Sequence, residues 1–101
     1  DFLRQYHFQA ANICDELSNP NAVDHIDKSK MYMERCKEEL TPLDIIDTYL
    51  MVANVYAKAL EYSPEIMEKK GYGKQTASLF IELCEYEIEM HLKHFSTIAR
   101  T

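Results

Sequence analysis

Glycine and proline are scarce in this sequence, with 2 and 3 of the 101 residues respectively. The many tight turns of a β-sandwich or β-barrel need more of both, so the scarcity excludes such folds and favours a few long helices. The hydrophobic fraction of 47% and the charged fraction of 28% are close to the globular average, which excludes disorder and collagen-like structure. We therefore expect residues 1–101 to form a single helical domain.

Cysteines are few and scattered, and Cys14, Cys36 and Cys84 include no C-x-x-C spacing. An odd number of isolated cysteines argues against a disulfide framework and against a thiolate zinc site. We therefore expect a reducing, intracellular setting and place the protein in the cytoplasm. The sequence starts at Asp1 rather than at methionine, so we expect further residues upstream in the full-length protein.

Long apolar runs and an excess of basic charge are also missing. No uninterrupted run approaches the roughly 20 apolar residues of a membrane span, so we expect no membrane-embedded segment. Seventeen acidic residues against eleven basic ones give a net charge of −6 and an isoelectric point near 5.1. This charge opposes binding to nucleic acid or to an anionic membrane.

Apolar residues recur at helical spacing along nearly the whole chain, interrupted by short turns. At two of these turns, Thr41-Pro42 and Ser63-Pro64, a capping hydroxyl residue precedes a proline at the first helical position. Gly71 suits the closing turn of a short helix. The predicted helices cover residues 1–17, 20–40, 42–62, 64–70 and 74–99. We predict an all-α fold: an antiparallel up-down bundle of four long helices plus one short connecting helix.

The spacing also predicts which side of each helix is buried. The first helix is expected to bury an apolar side and to expose Arg4 and Gln9. That apolar side comprises Leu3, Tyr6, Ala10, Ile13 and Leu17. The third helix has an apolar arc of about half its circumference and is predicted to be the centre of the core. The predicted core side of the last helix comprises Ala77, Phe80, Ile81, Cys84, Ile88, Leu92, Phe95 and Ile98.

No motif for catalysis or nucleotide binding is present. Residues 71–76 have the glycines and the lysine of a phosphate-binding loop, but Glu68 and Gln75 stand where such a loop needs a glycine and a hydroxyl residue. The serines lie at caps or polar helix positions, without the glycine elbow of a nucleophile. We therefore predict that the protein is not an enzyme and uses no cofactor.

A permissive metal-site pattern lies on the last helix. Glu87, His91 and His94 are spaced by four and three residues and share one side of the helix. His7 and Cys14 of the first helix could supply further ligands. The zinc-peptidase and di-iron motifs are both missing, and Glu87 with His91 equally suits a pair that supports the helix. We predict that the protein binds no metal. The alternative is a metal site formed by Glu87, His91 and His94.

The most informative feature is an excess of apolar residues. The last helix has a second apolar stripe, outside its core side, at three- and four-residue steps. The stripe comprises Leu79, Leu83, Tyr86 and Met90. On the third helix, Met51, Val55 and Tyr62 project from an otherwise polar side. Exposed apolar surface is unfavourable by ~25 cal/mol per Å², so either the same chain or another protein must cover these side chains.

Tyrosine and methionine suit protein interfaces, because aromatic rings anchor a contact and thioethers adapt to an irregular partner. We predict a small acidic protein-interaction module, acting as an adaptor, an inhibitor or a regulatory subunit. Its partner is another protein or, in a homodimer, its own copy. Two alternatives stay open: the metal-binding bundle, and the ligand-binding or dimerisation part of a transcription regulator. Neither nucleic acid nor a membrane is an expected partner of this segment.

Overall fold

The computed structural model describes the backbone of residues 1–100 and the side chains of residues 1–94. Its helices are α1 Phe2–Glu16, α2 Asn21–Arg35, α3 Pro42–Tyr62, α4 Pro64–Lys69 and α5 Lys74–Arg100. The described residues include no strand, so the predicted all-α class, with four long helices and one short one, is confirmed. Within the same residues, no helix has both the length and the apolar character needed to cross a bilayer.

Local signals set several helix ends where the sequence predicts them. Thr41 Oγ1 accepts a hydrogen bond from the Asp44 amide at 3.2 Å and so caps the start of α3. After α4, Gly71 has a φ of +88°, in the left-handed region that favours glycine. The Tyr72 amide then donates to the Met67 carbonyl at 2.8 Å, which closes the last turn of α4.

The second helix is shorter than predicted. It ends at Arg35 instead of near residue 40, and a 3-10 turn, Lys37–Glu39, follows it. Leu40 and Thr41 then have extended backbone. Proline disfavours helical backbone at the residue before it, so Thr41 is extended and α3 begins at Pro42.

α3 is the centre of the core, as its wide apolar arc predicts. It packs against α1, α2, α4 and α5, whereas α5 packs chiefly against α3 alone. The buried residues of α3 are Ile45, Ile46, Thr48, Tyr49, Val52, Ala53, Val55, Tyr56 and Ala59. α1 and α2 form a closely packed pair. The whole chain measures 48 × 28 × 21 Å, and the up-down order of its helices stays a prediction.

The predicted core side of α1 is wrong. Four of its five residues are 46% to 73% exposed, namely Leu3, Tyr6, Ile13 and Leu17. α1 packs instead through the side that contains Arg4 and Ala11. Ala11 of α1 and Ala22 of α2 are both fully buried, and such small side chains allow two helices to approach closely. The apolar residues are therefore left on the outside of the helix pair.

A buried polar cluster joins α1, α2 and α3 around Arg4. The guanidinium donates hydrogen bonds to Thr48 Oγ1 at 3.4 Å and to Asp1 Oδ1 at 2.8 Å. Ser29 Oγ donates to the Arg4 carbonyl at 2.9 Å. Arg4, Ser29 and Thr48 are all buried, and each has a hydrogen-bond partner inside the protein. The side of α1 that appears polar in the sequence can therefore be buried, because its polar groups are hydrogen-bonded inside the protein.

The core side of α5 largely follows the prediction. Five of the predicted core residues are buried or half-buried, namely Ala77, Phe80, Ile81, Cys84 and Ile88. Leu92 was predicted to be core but is 47% exposed. At 100° per residue it lies about 80° from the buried Cys84, at the edge of the covered sector. Phe95 and Ile98 lie outside the side chains that the structure describes.

Candidate functional site

The second apolar stripe of α5 lies on the surface of the chain. Its side chains are each about half exposed: Leu79 56%, Leu83 51%, Tyr86 58% and Met90 46%. At 100° per residue the four positions fall within one sector of about 60°. We call these four residues the α5 face. The neighbouring helices leave half of each side chain uncovered, so the α5 face is a contiguous apolar surface.

The residues of α3 that the sequence singled out do not extend this surface. Val55 is fully buried and belongs to the hydrophobic core, so its side chain offers nothing to a partner. Val55 was predicted as an interface residue, but it is covered because α3 packs against four helices and its polar side is narrower than its sequence pattern indicates. Met51 and Tyr62 are half-buried and pack against the core. The Tyr62 hydroxyl is buried without a hydrogen-bond partner in the described chain.

α1 provides a second apolar surface that was predicted to be core. We call Leu3, Tyr6, Ile13 and Leu17 the α1 face. Phe2, 79% exposed, extends it at its N-terminal end. The three- and four-residue spacing that predicted a buried stripe is present, but the packing of α1 leaves it open to solvent. The described chain therefore has two exposed apolar helix faces, on different helices.

Acidic residues border the α5 face. At 100° per residue, Glu82 and Glu89 lie along one edge of the face and Glu87 lies along the other. Glu89 Oε1 is 3.3 Å from Lys93 Nζ, an ion pair between neighbouring turns on this side of the helix. Such exposed pairs contribute little to stability, so they do not determine the fold of α5. Three carboxylates, Glu82, Glu87 and Glu89, against the one ammonium group of Lys93 leave the rim of the α5 face with a net negative charge.

The candidate metal ligands of α5 do not converge on one point. Glu87 Oε2 lies 3.6 Å from His91 Nε2, as expected for a helix-supporting pair. His94 is exposed one turn later. Of the further ligands suggested on α1, His7 contacts a histidine of α2 and Cys14 packs against the core. Among the side chains of residues 1–94, no three histidine, cysteine, aspartate or glutamate residues are placed to hold a metal ion.

A groove between α2 and α5, with α3 as its floor, was not predicted. It encloses a cavity of about 240 Å³. The Tyr72 ring centroid lies 4.9 Å from that of Tyr56 and 5.7 Å from that of Phe80. Asp27 Oδ2 accepts a hydrogen bond from the Tyr72 hydroxyl at 2.7 Å, and Oδ1 accepts one from the Tyr56 hydroxyl. The other lining residues are Lys30, Met31, Glu34, Val52 and Cys84.

The groove contains a carboxylate in an unfavourable environment. Burial raises the pKa of Asp27, and the hydrogen bonds from Tyr56 and Tyr72 and the positive charge of Lys30 only partly offset this effect. Lys30 forms its ion pair with Glu34, at 3.6 Å, rather than with Asp27. Burial also raises the pKa of Tyr56 and of the Cys84 thiol, so both groups stay uncharged at neutral pH. Asp27, whose carboxylate accepts both tyrosine hydroxyl groups, lines the α2 wall of the cavity together with Lys30 and Glu34.

Sequence reasoning had no local signal for this groove. Asp27 is 29 residues from Tyr56 and 45 residues from Tyr72, and the three side chains belong to different segments. Only the packing of α2 and α5 against α3 brings them together. Asp27 follows the fully buried Ile26, and this position beside the apolar side of α2 is the one hint that its carboxylate is partly buried.

A pair of histidines joins α1 and α2. The two Nδ1 atoms of His7 and His25 are 3.1 Å apart, so one ring donates a proton and the other accepts it. The His7 ring also stacks on Tyr32, with centroids 5.9 Å apart. Burial lowers the pKa of His7 below 6.5, and the positive charges of His25 and Lys28 lower it further. Protonation of both rings would leave two donors facing each other.

Acidification should therefore weaken the contact between α1 and α2. Because folding lowers the pKa of His7, the unfolded chain binds the proton more readily than the folded chain. The unfolding free energy is therefore highest above the pKa of histidine in the unfolded chain, about 6.5. It falls as the pH drops through this value and levels off below the pKa of His7 in the folded chain. Urea unfolding between about pH 5 and 8 measures this decline.

His7→Gln should flatten that part of the pH profile, because the titrating ring is gone. His94→Gln is the matched control, since it removes an exposed histidine of α5 and should keep the wild-type slope. A wild-type slope in His7→Gln as well would assign the decline to other groups.

Comparison with known proteins gives no family for this chain. No protein-family model, curated protein or solved structure matches it. Its function is therefore inferred from the geometry described above: the α5 face, the α1 face and the groove.

Proposed function

We propose that this chain is a protein-interaction module whose α5 face binds another protein, as in an adaptor, an inhibitor or a regulatory subunit. The observation that supports the proposal is the exposure of four large apolar side chains on one side of α5. Single exposed leucines are normal, but a contiguous apolar patch of roughly a few hundred Å² on a protein surface is often a binding site. The exposed α1 face supports the same type of function.

The charge around the α5 face favours a partner with basic residues. Three carboxylates, of Glu82, Glu87 and Glu89, and one ammonium group, of Lys93, border the face, and the chain as a whole has a net charge of −6. Two copies paired through their α5 faces would bring these carboxylates together, which opposes association. Lysine or arginine beside an apolar surface would instead be attracted to this rim. The proposed partner is therefore an apolar helix bordered by basic residues, and a homodimer is the competing outcome.

The proposed setting is the cytoplasm. Cys14, Cys36 and Cys84 are free thiols in the described chain. Reducing conditions keep thiols in this form, so the partner we propose is an intracellular protein.

Two designed helical peptides test the proposal. Both peptides carry the same leucine stripe, bordered by lysines in one and by glutamates in the other, and binding is measured by fluorescence anisotropy. The lysine peptide should bind at least about tenfold more tightly, because only its borders complement the acidic rim. Leu83→Glu and Tyr86→Glu should each weaken its binding at least about tenfold, since each places a charge in the contact.

Ser78→Glu is the matched control, because it adds the same charge to an exposed position of α5 outside the α5 face. It should bind the lysine peptide nearly as well as the wild type does. Unchanged binding in Leu83→Glu and Tyr86→Glu would overturn the proposal. Sedimentation of the chain alone completes the test: a dimer that Tyr86→Glu dissociates would identify a second copy as the partner.

A further inference from the structure

In the described chain, no positively charged group contacts Asp27 directly, although the charge of Lys30 partly offsets the effect of burial on the pKa of Asp27. Tyr56 and Tyr72 each donate a hydrogen bond to its carboxylate, but these neutral hydroxyl groups only partly offset the loss of water around a charge. Among the side chains of residues 1–94, no lysine, arginine or histidine nitrogen lies within 4 Å of this carboxylate. The cavity is lined by two carboxylates, Asp27 and Glu34, and by one ammonium group, that of Lys30, so one negative charge is left to attract a further cation.

The walls of the cavity favour an organic cation over a metal ion. Calcium and magnesium need about six oxygen ligands, whereas the rings of Tyr72 and Phe80 and the side chain of Val52 line this site. Aromatic faces attract ammonium groups, and an alkyl stem packs well against apolar walls. The cavity of about 240 Å³ is smaller than the ~300–1,000 Å³ of typical small-molecule pockets, so a single extended side chain suits it better.

The chain itself contains an example of such a contact. Lys30 Nζ lies 5.9 Å from the centroid of the Phe80 ring, within the range of a cation–π interaction. The rim of the groove is thus compatible with an ammonium group. Both oxygens of Asp27 already accept a tyrosine hydroxyl, which leaves less of the carboxylate for the planar two-point grip of a guanidinium. An ammonium group needs only one acceptor.

We propose that the groove binds the protonated side chain of a lysine, with its ammonium group at Asp27 and its methylene stem against Tyr72 and Phe80. The groove adjoins the α5 face, because Leu83 lies about 60° around the helix from Phe80. The lysine would belong to the partner of the α5 face. Its source therefore rests on the proposed function, whereas the binding chemistry of the groove does not.

Nα-acetyl-lysine N-methylamide is the probe for this site, and Nα-acetyl-norleucine N-methylamide is its uncharged control. Titration is followed by NMR at the ring signals of Tyr72 and Phe80. The lysine probe should give saturable shifts with a dissociation constant of about 1 to 10 mM, and the norleucine probe should give none that saturate. Asp27→Asn should weaken lysine binding by about tenfold or more, because a charge-assisted hydrogen bond is lost.

Asp47→Asn is the matched control, since it removes the charge of an exposed aspartate that is not among the groove residues. It should leave the dissociation constant within about twofold of the wild type. Phe80→Leu, which keeps the carboxylate and removes one aromatic wall, provides a second variant in case Asp27→Asn loses helicity; it should also weaken binding. Equal binding of both probes, equal binding in Asp27→Asn or Phe80→Leu, or no saturable shift would overturn the proposal.

Tyr86→Glu separates this proposal from the proposed function. It alters the α5 face but none of the residues that line the groove, so it should bind the lysine probe as the wild type does. A groove that binds lysine in a chain whose α5 face binds no peptide would leave the groove proposal intact. A functional α5 face beside a groove without lysine binding would refute the groove proposal alone.

Discussion

Val55→Asp should unfold the chain or destabilise it by more than about 4 kcal/mol. Val55 is fully buried near the middle of α3, so the new carboxylate would have neither water nor a partner. Domains of this size are stable by only about 5 to 15 kcal/mol, so a loss of this size removes much of the folded population. Far-UV circular dichroism and urea unfolding measure the effect.

Asn54→Asp is the matched control for this experiment. It places the same side chain at the adjacent position of α3, where the residue is exposed, and should change the unfolding free energy by less than about 0.5 kcal/mol. The comparison decides whether Val55 belongs to the core or to an interface. A Val55→Asp variant that keeps its helicity and changes only its association with other proteins would return Val55 to the candidate interface.

The helix ends were predictable because their causes are local. Thr41 caps α3 through the amide of Asp44, three residues later, and Gly71 closes α4 through a conformation that few other residues adopt. These contacts involve neighbours in sequence and require no knowledge of the tertiary packing. The end of α2 at Arg35 was missed because the apolar pattern of the sequence continues to Leu40.

The buried side of α1 was not predictable from periodicity alone. A three- and four-residue spacing of apolar residues shows that a helix has an apolar side, but it does not show that this side meets a neighbour. α1 packs through Arg4 and Ala11 because Ala11 permits close packing and Arg4 finds partners on α3 and at Asp1. Thr48 is 44 residues from Arg4 in the sequence, so no local sequence pattern predicts this contact.

The α5 face could be predicted from the sequence, whereas the groove could not. The α5 face is a feature of one helix, so its four residues were identified from the sequence, and the structure supplies their exposure. The groove is formed by three helices and by Tyr72, which lies between α4 and α5. Its carboxylate was missed because an isolated aspartate in a sequence is most simply interpreted as a solvated residue.

Arg4→Ala should lower the unfolding free energy by about 2 to 3 kcal/mol, because it removes a buried stem and a hydrogen bond to Thr48. The loss is not larger because the acidic partners of Arg4, Asp1 and Asp44, have side chains that are 45% and 43% exposed. Water can therefore solvate both carboxylates once the guanidinium is gone. Urea unfolding at neutral pH measures the difference.

Arg4→Met distinguishes packing from charge at this position. Methionine keeps most of the stem and buries no charge, so we expect it to cost less than about 1 kcal/mol. Gln9→Ala, at an exposed position of the same helix, is the control and should have an effect below about 0.5 kcal/mol. If Arg4→Met were as destabilising as Arg4→Ala, the hydrogen bonds and ion pairs of the guanidinium, rather than its apolar stem, would hold α1 in the orientation that exposes the α1 face.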